Sequence, residues 1–369
     1  MKFVRFTMFF LAITWIYLPV NAQNMFEGWE YLFQPKKNYV VYSTSETITI
    51  DGKADETSWG KVEWTDLFTD IEGSNKKTPE YSTKVKMLWD KRHFYILAEL
   101  TEPHIWAYYK KHDKIVYHEN DFEVFLDPDR NTHEYFEFEI NAQNTLFDLF
   151  MTKPYRDGGI PLISWDARGF QSAVFVHGTL NQPNDTDKCW VLEMAIPFYD
   201  LRLGVHPPTP ADGTYWNINF SRVQWQTDVT EGKYVRRTNK TSGQILPENN
   251  WVWSPVGIIN MHFPERWGLV QFTEMEAGKG TTPFVFPAEE KYRDYLWLLY
   301  YKQSEYKKAY KKYAATLDKL SLPKNPGQNT RLSMNAGKMQ FFAGLKTPEG
   351  WTLTINHEGK IQITKSAEQ

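Results

Sequence analysis

The chain has 369 residues, 41% hydrophobic and 24% charged, within the range of folded globular proteins and long enough for a sizeable core. Its 42 basic and 45 acidic side chains leave a formal net charge of −3, with no basic excess to draw phosphates, which argues against nucleic-acid binding. A single cysteine, Cys189, excludes an intrachain disulfide, and 15 Trp, 21 Tyr and 24 Phe favour strands that bury large areas.

In chain order, residues 1–22 read as a secretory leader. Lys2 and Arg5 open it, Phe6 to Val20 is mostly apolar, and Val20-Asn21-Ala22 offers small residues for cleavage before Gln23. The apolar run is about 15 residues, short of the roughly 20 that a membrane span needs. The expectation is an exported protein, periplasmic, surface-bound or secreted, with no membrane span after cleavage.

From about Tyr39 to Phe272 the pattern is strands between turns. Ile48 and Ile50 alternate with Thr47 and Thr49 before the Asp51-Gly52 turn, and Val85–Trp89 and Phe94–Leu100 form a hairpin around Asp90–His93. Four further runs alternate strictly. Phe122, Val124 and Leu126 oppose Asp121 and Glu123; Phe136, Phe138 and Ile140 oppose Glu137, Glu139 and Asn141. Trp190, Leu192, Met194 and Ile196 oppose Glu193; Trp216, Ile218 and Phe220 oppose Asn217 and Asn219. Period-two alternation predicts antiparallel strands with one dry and one wet face, and roughly ten of them predict an all-β, two-sheet sandwich over 23–275. After a linker at Gly278–Pro283, residues 285–369 read as an appendage: a helix over Ala288–Leu320 and then short strands, the last two turning at His357-Glu358-Gly359.

Several residue sets carry chemistry. Glu123, Glu137, Glu139 and Glu193 lie on faces opposite the apolar ones; a solvated or Arg-paired face is the simpler reading, and a glycosidase built on Asp121 and Glu123 the sharper one. Asp127, Asp129 and Asn131 alternate as oxygen ligands of a structural calcium would, without an EF-hand's glycine and bidentate glutamate. No HExxH or GxSxG spacing occurs. What remains is a set of aromatics and arginines outside the regular strands: Trp106, Arg156, Trp165, Arg222, Trp225, Asn250, Trp251 and Trp253. A pyranose stacks its C–H face on an indole and gives its hydroxyls to arginines and amides, so this set suits a sugar. In "NWVWSP", Trp251 and Trp253 share a face if the segment is extended.

Six stretches taken in order, "ITIDGKADETSW", "KMLWDKRHFYILAEL", "ENDFEVFLDPD", "EYFEFEINAQNTLFDL", "WVLEMAIP" and "RWGLVQF", resemble carbohydrate-binding module family 9-like domains, in particular exported Bacteroidetes proteins. The resemblance covers residues 40–273. It implies a β-sandwich that binds poly- or oligosaccharide without catalysis, using two Trp rings around a glycan end, with a glycoside hydrolase as the usual neighbour. On it, Trp106 stands as the first ring and Trp251 or Trp253 as the second, with Trp267 nearer the family's C-terminal pattern; Arg156, Arg222 and Asn250 would read hydroxyls. No cofactor is implied. The competing readings are the glycosidase, a haem-holding sandwich with Met261 or His262 as axial ligand, and a partner-binding surface protein docked through its tail helix.

Overall fold

The computed structural model describes residues 25–202, 209–324 and 326–365. The leader expected at residues 1–22 lies outside these, as does the first half of the 205–212 insert. The strands are, in order, β1 (Asn38–Ser43), β2 (Thr69–Asp70), β3 (Thr83–Trp89), β4 (His93–Thr101), β5 (Asp121–Asp127), β6 (Tyr135–Asn141), β7 (Leu146–Met151) and β8 (Pro161–Leu162). They continue with β9 (Gln171–His177), β10 (Cys189–Pro197), β11 (Tyr215–Gln224), β12 (Thr227–Thr230), β13 (Lys233–Arg236), β14 (Asn249–Val252) and β15 (Gly268–Glu276). A helix, α1 (Glu290–Tyr310), leads to β16 (Arg331–Ala336), β17 (Phe341–Lys346), β18 (Trp351–Asn356) and β19 (Ile361–Lys365).

The sandwich is one hydrogen-bonded ribbon folded over. Strands run β8-β7-β6-β5-β11-β15 in one layer and β3-β4-β10-β9 in the other, joined through β1. Most neighbours are antiparallel, but β1 lies parallel to both β15 and β3 and so stitches the layers together. The alternating apolar residues predict this core correctly: Phe122, Val124, Phe136, Phe138, Ile218 and Phe220 of one layer meet Val85, Ile96, Leu192 and Met194 of the other. Burying side chains of this size contributes about 1.5–3 kcal/mol each. The Asp51-Gly52 turn is held by Glu193, whose carboxylate accepts the Asp51 and Gly52 amides at 3.1 and 3.0 Å and the Trp59 indole N–H at 2.8 Å. Gly52 has φ +80°, and a Cβ there would come within 2.8 Å of the Phe175 nitrogen, so only glycine fits.

The second face of the β5–β6–β7 layer is not wet. Phe125, Tyr135, Phe147, Leu149 and Trp267 on that face join Tyr295, Trp297, Leu298, Phe341 and Leu353 of the tail in a second core. The tail therefore roofs the sandwich. Its helix is buried on most sides between Tyr292 and Tyr301, being held between the sandwich and the β16–β19 meander. It stops at Tyr310, where Lys311 turns left-handed at φ +59°, rather than reaching Leu320. Charges pin the joint: Arg130 to Glu290, Arg266 to Asp294 at 2.9 Å and Lys153 to Glu358 at 2.6 Å. On the same side of the layer Asp121, Glu123, Glu137, Glu139, Asn217 and Asn219 are buried instead of solvated: Glu123, Glu137 and Glu139 beneath the sandwich's own loops at Tyr117, Tyr155 and Met261, Asn217 and Asn219 on the Pro264 and Ser254 carbonyls.

Candidate functional site

A polar cavity of about 430 Å³ opens between the two layers, at the end where β3 and β5 begin and β4 and β11 finish. Its size falls in the range of about 300–1,000 Å³ typical of small-ligand sites. Tyr81, Trp225 and Trp251 supply its aromatic wall; Asp70, Glu102, Asn120, Gln224 and Asn249 supply carboxylates and amides, and Lys77, Glu80 and Arg237 stand among its lining residues. Alternation within β14 puts Asn249 and Trp251 on one side together.

Its floor is a buried network. Arg222 Nη2 donates to Glu102 at 2.9 Å, Nη1 to the Thr83 hydroxyl and the Thr101 carbonyl at 3.1 and 2.9 Å, and Nε to Gln224 Oε1 at 2.9 Å. One arginine thus ties β11 to the β3–β4 hairpin of the facing layer. Glu102 also accepts from Asn120 at 3.2 Å, and Asn120 Oδ1 accepts the Trp225 amide at 2.8 Å. The Trp225 indole N–H is anchored on the Tyr117 carbonyl at 2.8 Å. The Arg222 guanidinium lies 5.3 Å from the Trp251 ring centre, and Tyr81 meets that ring edge-on at 6.1 Å. Burial pushes the Arg222 pKa down while Glu102 opposes it, and burial aided by Glu80 pushes Tyr81 up. The result is a rigid, hydrogen-bonding concavity whose rings and amides are held in place before a ligand arrives.

Of the residues singled out in the sequence, Trp225 and Trp251 come together at this cavity with Arg222 beneath them. The flat, open platform expected of them is reduced: Trp225 and Trp251 are 8% and 5% exposed, and the half-buried Tyr81 is the more accessible ring. Trp106, at 4%, is behind the wall, packed with Val223, Trp225 and Tyr234, so it is no stacking ring. Trp253, at 1%, is sealed in the first core against Phe220 and over Gly268, where a Cβ would lie 2.4 Å from its ring. Trp267 is packed with Phe125 and Tyr135, its N–H on the Met261 carbonyl at 2.7 Å.

Three others lie elsewhere. Asn250 faces away from Trp251, into a second cavity. Arg156 belongs to the tail joint: it reaches Glu265 at 3.0 Å and lies over the Phe263 ring at 4.1 Å, which removes it from the sugar set. Trp165 packs on Phe136 and lines a separate hollow with Arg168 and Tyr199. The sequence reading missed Tyr81, Glu102, Asn120, Gln224 and Asn249. The signal was present in part, since Asn249 and Gln224 share alternating faces with Trp251 and Arg222.

The competing sets are also placed. Glu123 lines the second cavity with Met261 and His262, while Asp121 is wholly buried beside it. His262 shares a 2.7 Å hydrogen bond with the Tyr135 hydroxyl, and burial followed by Arg156 pushes it down to about 4. The Asp127–Asn131 loop closes on itself: Asp127 accepts the Thr132 amide at 3.0 Å and Asp129 the Asn131 amide at 3.0 Å.

Residues 50–244 match the family described as carbohydrate family 9 binding domain-like. The chain is 29% identical over 168 residues to endo-1,4-beta-xylanase A of Thermoanaerobacterium saccharolyticum, covering 46% of this chain and 12% of that one. It is 27% identical over 157 residues to exoglucanase XynX of Acetivibrio thermocellus, covering 42% and 12%. It thus spans about an eighth of either relative's length. Among solved structures, a family 9 carbohydrate binding module from Caldicellulosiruptor kristjanssonii in complex with glucose superposes with a TM-score of 0.39 at 17% identity, covering 68% of this chain and 100% of that one.

Proposed function

The chain belongs to the carbohydrate family 9 binding domain-like family, and on that premise we propose that the cavity walled by Tyr81, Trp225 and Trp251 holds a sugar without acting on it chemically. The observation that carries this reading is the convergence in one concavity of three aromatic rings with Glu102, Asn120, Gln224 and Asn249. Gln224 uses its Oε1 on Arg222 and Asn249 its Nδ2 on the Gln224 carbonyl. Their opposite ends, Gln224 Nε2 and Asn249 Oδ1, then serve sugar hydroxyls as donor and acceptor. The Tyr81 ring takes the apolar C–H face. Water competes for each hydroxyl, so the affinity falls in the micromolar to millimolar range, about −8 to −4 kcal/mol.

The relatives that match this chain are named for xylan and glucan breakdown. The proposed role is accordingly that of an exported accessory protein which holds a plant-type or related glycan near a separate glycoside hydrolase. Among the described residues no helix is long and apolar enough to cross a membrane.

A glycan array on the chain without its leader, followed by calorimetry on the hits, tests the reading. Tyr81→Ala and Asn249→Ala are expected to weaken binding at least tenfold while melting as the parent does. Binding of no glycan, or binding untouched by both substitutions, overturns it.

A further inference from the structure

The tail carries a charge pattern that neither the sugar cavity nor the shared core explains. Between Tyr306 and Pro348 the chain has nine basic side chains and a single acid, Asp318, although the whole sequence is net −3. Folding gathers the densest part of this stretch at one end of the tail. The last turn of α1 brings Lys307 and Lys308, and the residues just past it Lys311 and Lys312. The turn between β16 and β17 adds Lys338 and Met339.

That turn is fastened to the end of the helix. The Tyr313 amide donates to the Gly337 carbonyl at 3.1 Å, and Lys307 Nζ donates to the Lys338 carbonyl. Tyr313 in turn meets Phe341 of the second core edge-on at 5.1 Å. The patch is thus a fixed surface made from two elements.

Lysines in the last turn of a helix complement its dipole, which accounts for Lys307 and Lys308. It does not account for Lys338, on another element, or for Met339 beside it. Met339 is 73% exposed and Tyr310 62%. Turn tips ordinarily hold Gly, Asn, Asp or Ser, yet here a long apolar chain stands in water among cations. Phe342, on the same hairpin, is half exposed. Two acids of the tail are directed elsewhere. Glu358 pairs with Lys153 at 2.6 Å, and Glu305 lies toward Tyr31, whose pKa burial and then this carboxylate push up.

Cations interleaved with exposed apolar chains suit an anionic bilayer. Its headgroups favour each nearby lysine by about fivefold, and lysine stems and apolar side chains settle into the boundary beneath them. A soluble polyanion would take the charges but offers nothing to Met339. We propose that the tail end formed by Lys308, Lys311, Lys312, Lys338 and Met339 docks the protein on an anionic lipid surface, lying on it without crossing it. No residue of the tail lines the proposed sugar cavity, so glycan binding and lipid binding are independently measurable.

The test is co-sedimentation of the whole chain, without its leader, with vesicles of equal parts phosphatidylglycerol and phosphatidylcholine. Vesicles of phosphatidylcholine alone are run beside them. Partition onto the anionic vesicles is expected to be at least tenfold stronger and to fall with added salt. The triple variant Lys311→Gln, Lys312→Gln, Lys338→Gln is expected to lose at least tenfold, and Met339→Ser alone at least threefold. All four side chains are exposed, so both variants are expected to melt as the parent does. Lys91→Gln, at an exposed lysine of the sandwich, is expected to keep full binding. Equal partition onto both kinds of vesicle, or partition untouched by the triple substitution, overturns the proposal. Vesicle binding indifferent to Met339→Ser, with dextran sulfate bound equally well, assigns the patch to a soluble polyanion and overturns it too.

Discussion

Replacing Glu102 by alanine tests whether the floor of the sugar cavity is structural as well as recognitive. Glu102 and Arg222 are 2.9 Å apart with side chains 3% and 1% exposed. At an effective dielectric near 20, two charges at that distance attract by about 6 kcal/mol. Alanine also strips the Asn120 and His104 amides of their shared acceptor. Water entering from the adjoining cavity returns part of this, leaving an expected loss of about 3–5 kcal/mol, as for other broken buried pairs. Urea unfolding of Glu102→Ala, Arg222→Met and the double variant gives the coupling directly. The double variant is expected to be less damaged than the sum of the singles by about 2–3 kcal/mol. A coupling below about 1 kcal/mol, the value of an exposed pair, would refute the argument that this ion pair is sealed.

Further expectations follow the same physics. Leu298→Ala, in the fully buried second core, is expected to cost about 2–5 kcal/mol while keeping one cooperative transition, because sandwich and tail share that core; a separate early transition for the tail, by calorimetry, contradicts it. Gly52→Ala forces a Cβ to 2.8 Å from the Phe175 backbone at φ +80° and is expected to destabilise by more than about 1 kcal/mol in urea unfolding. His262, held near 4 in the fold, titrates at about 6.5 when unfolded. The unfolded state therefore binds more protons between those values, and stability rises with pH across that window and is lost on acidification. The shift corresponds to at most about 3 kcal/mol, and His262→Gln is expected to abolish that part of the pH 4–6.5 slope in urea unfolding. Trp165→Ala is expected to leave glycan affinity within twofold, since its hollow lies apart from the proposed site; a large loss in calorimetry moves the site.

The alternating residues of β5, β6, β10 and β11 made the first core legible, because period two states which side chains share a face. It does not state what covers the other face. Glu137 and Asn217 read as solvated for that reason, whereas the loops carrying Tyr155 and Met261 cover the first and the Pro264 carbonyl meets the second. Part of the tail was also misjudged: β16 passed unnoticed, and the helix formers after Tyr310 suggested a longer helix than Lys311 allows. The site suffered from the same gap. Trp225 and Trp251 reach the cavity, yet Trp106 and Trp253 have equally polar neighbours in sequence and are sealed. Local aromatic density cannot tell a wall from its backing. Arg222 and Glu102 are 120 positions apart, so no spacing rule joins them.

The shared second core has a consequence for anyone wishing to move this domain. The family match ends at residue 244, before β14 brings in Trp251 and before β15 closes against β1. Trimming the chain at Glu276, where the last sandwich strand stops, would strip Trp29, Phe33 and Phe263 of the Tyr301 ring they pack on, and Arg156 of Trp297 and Tyr300. The sandwich has lost its portability: it travels only with its lid, and a fusion tag made from it has to carry residues 290–365 as well.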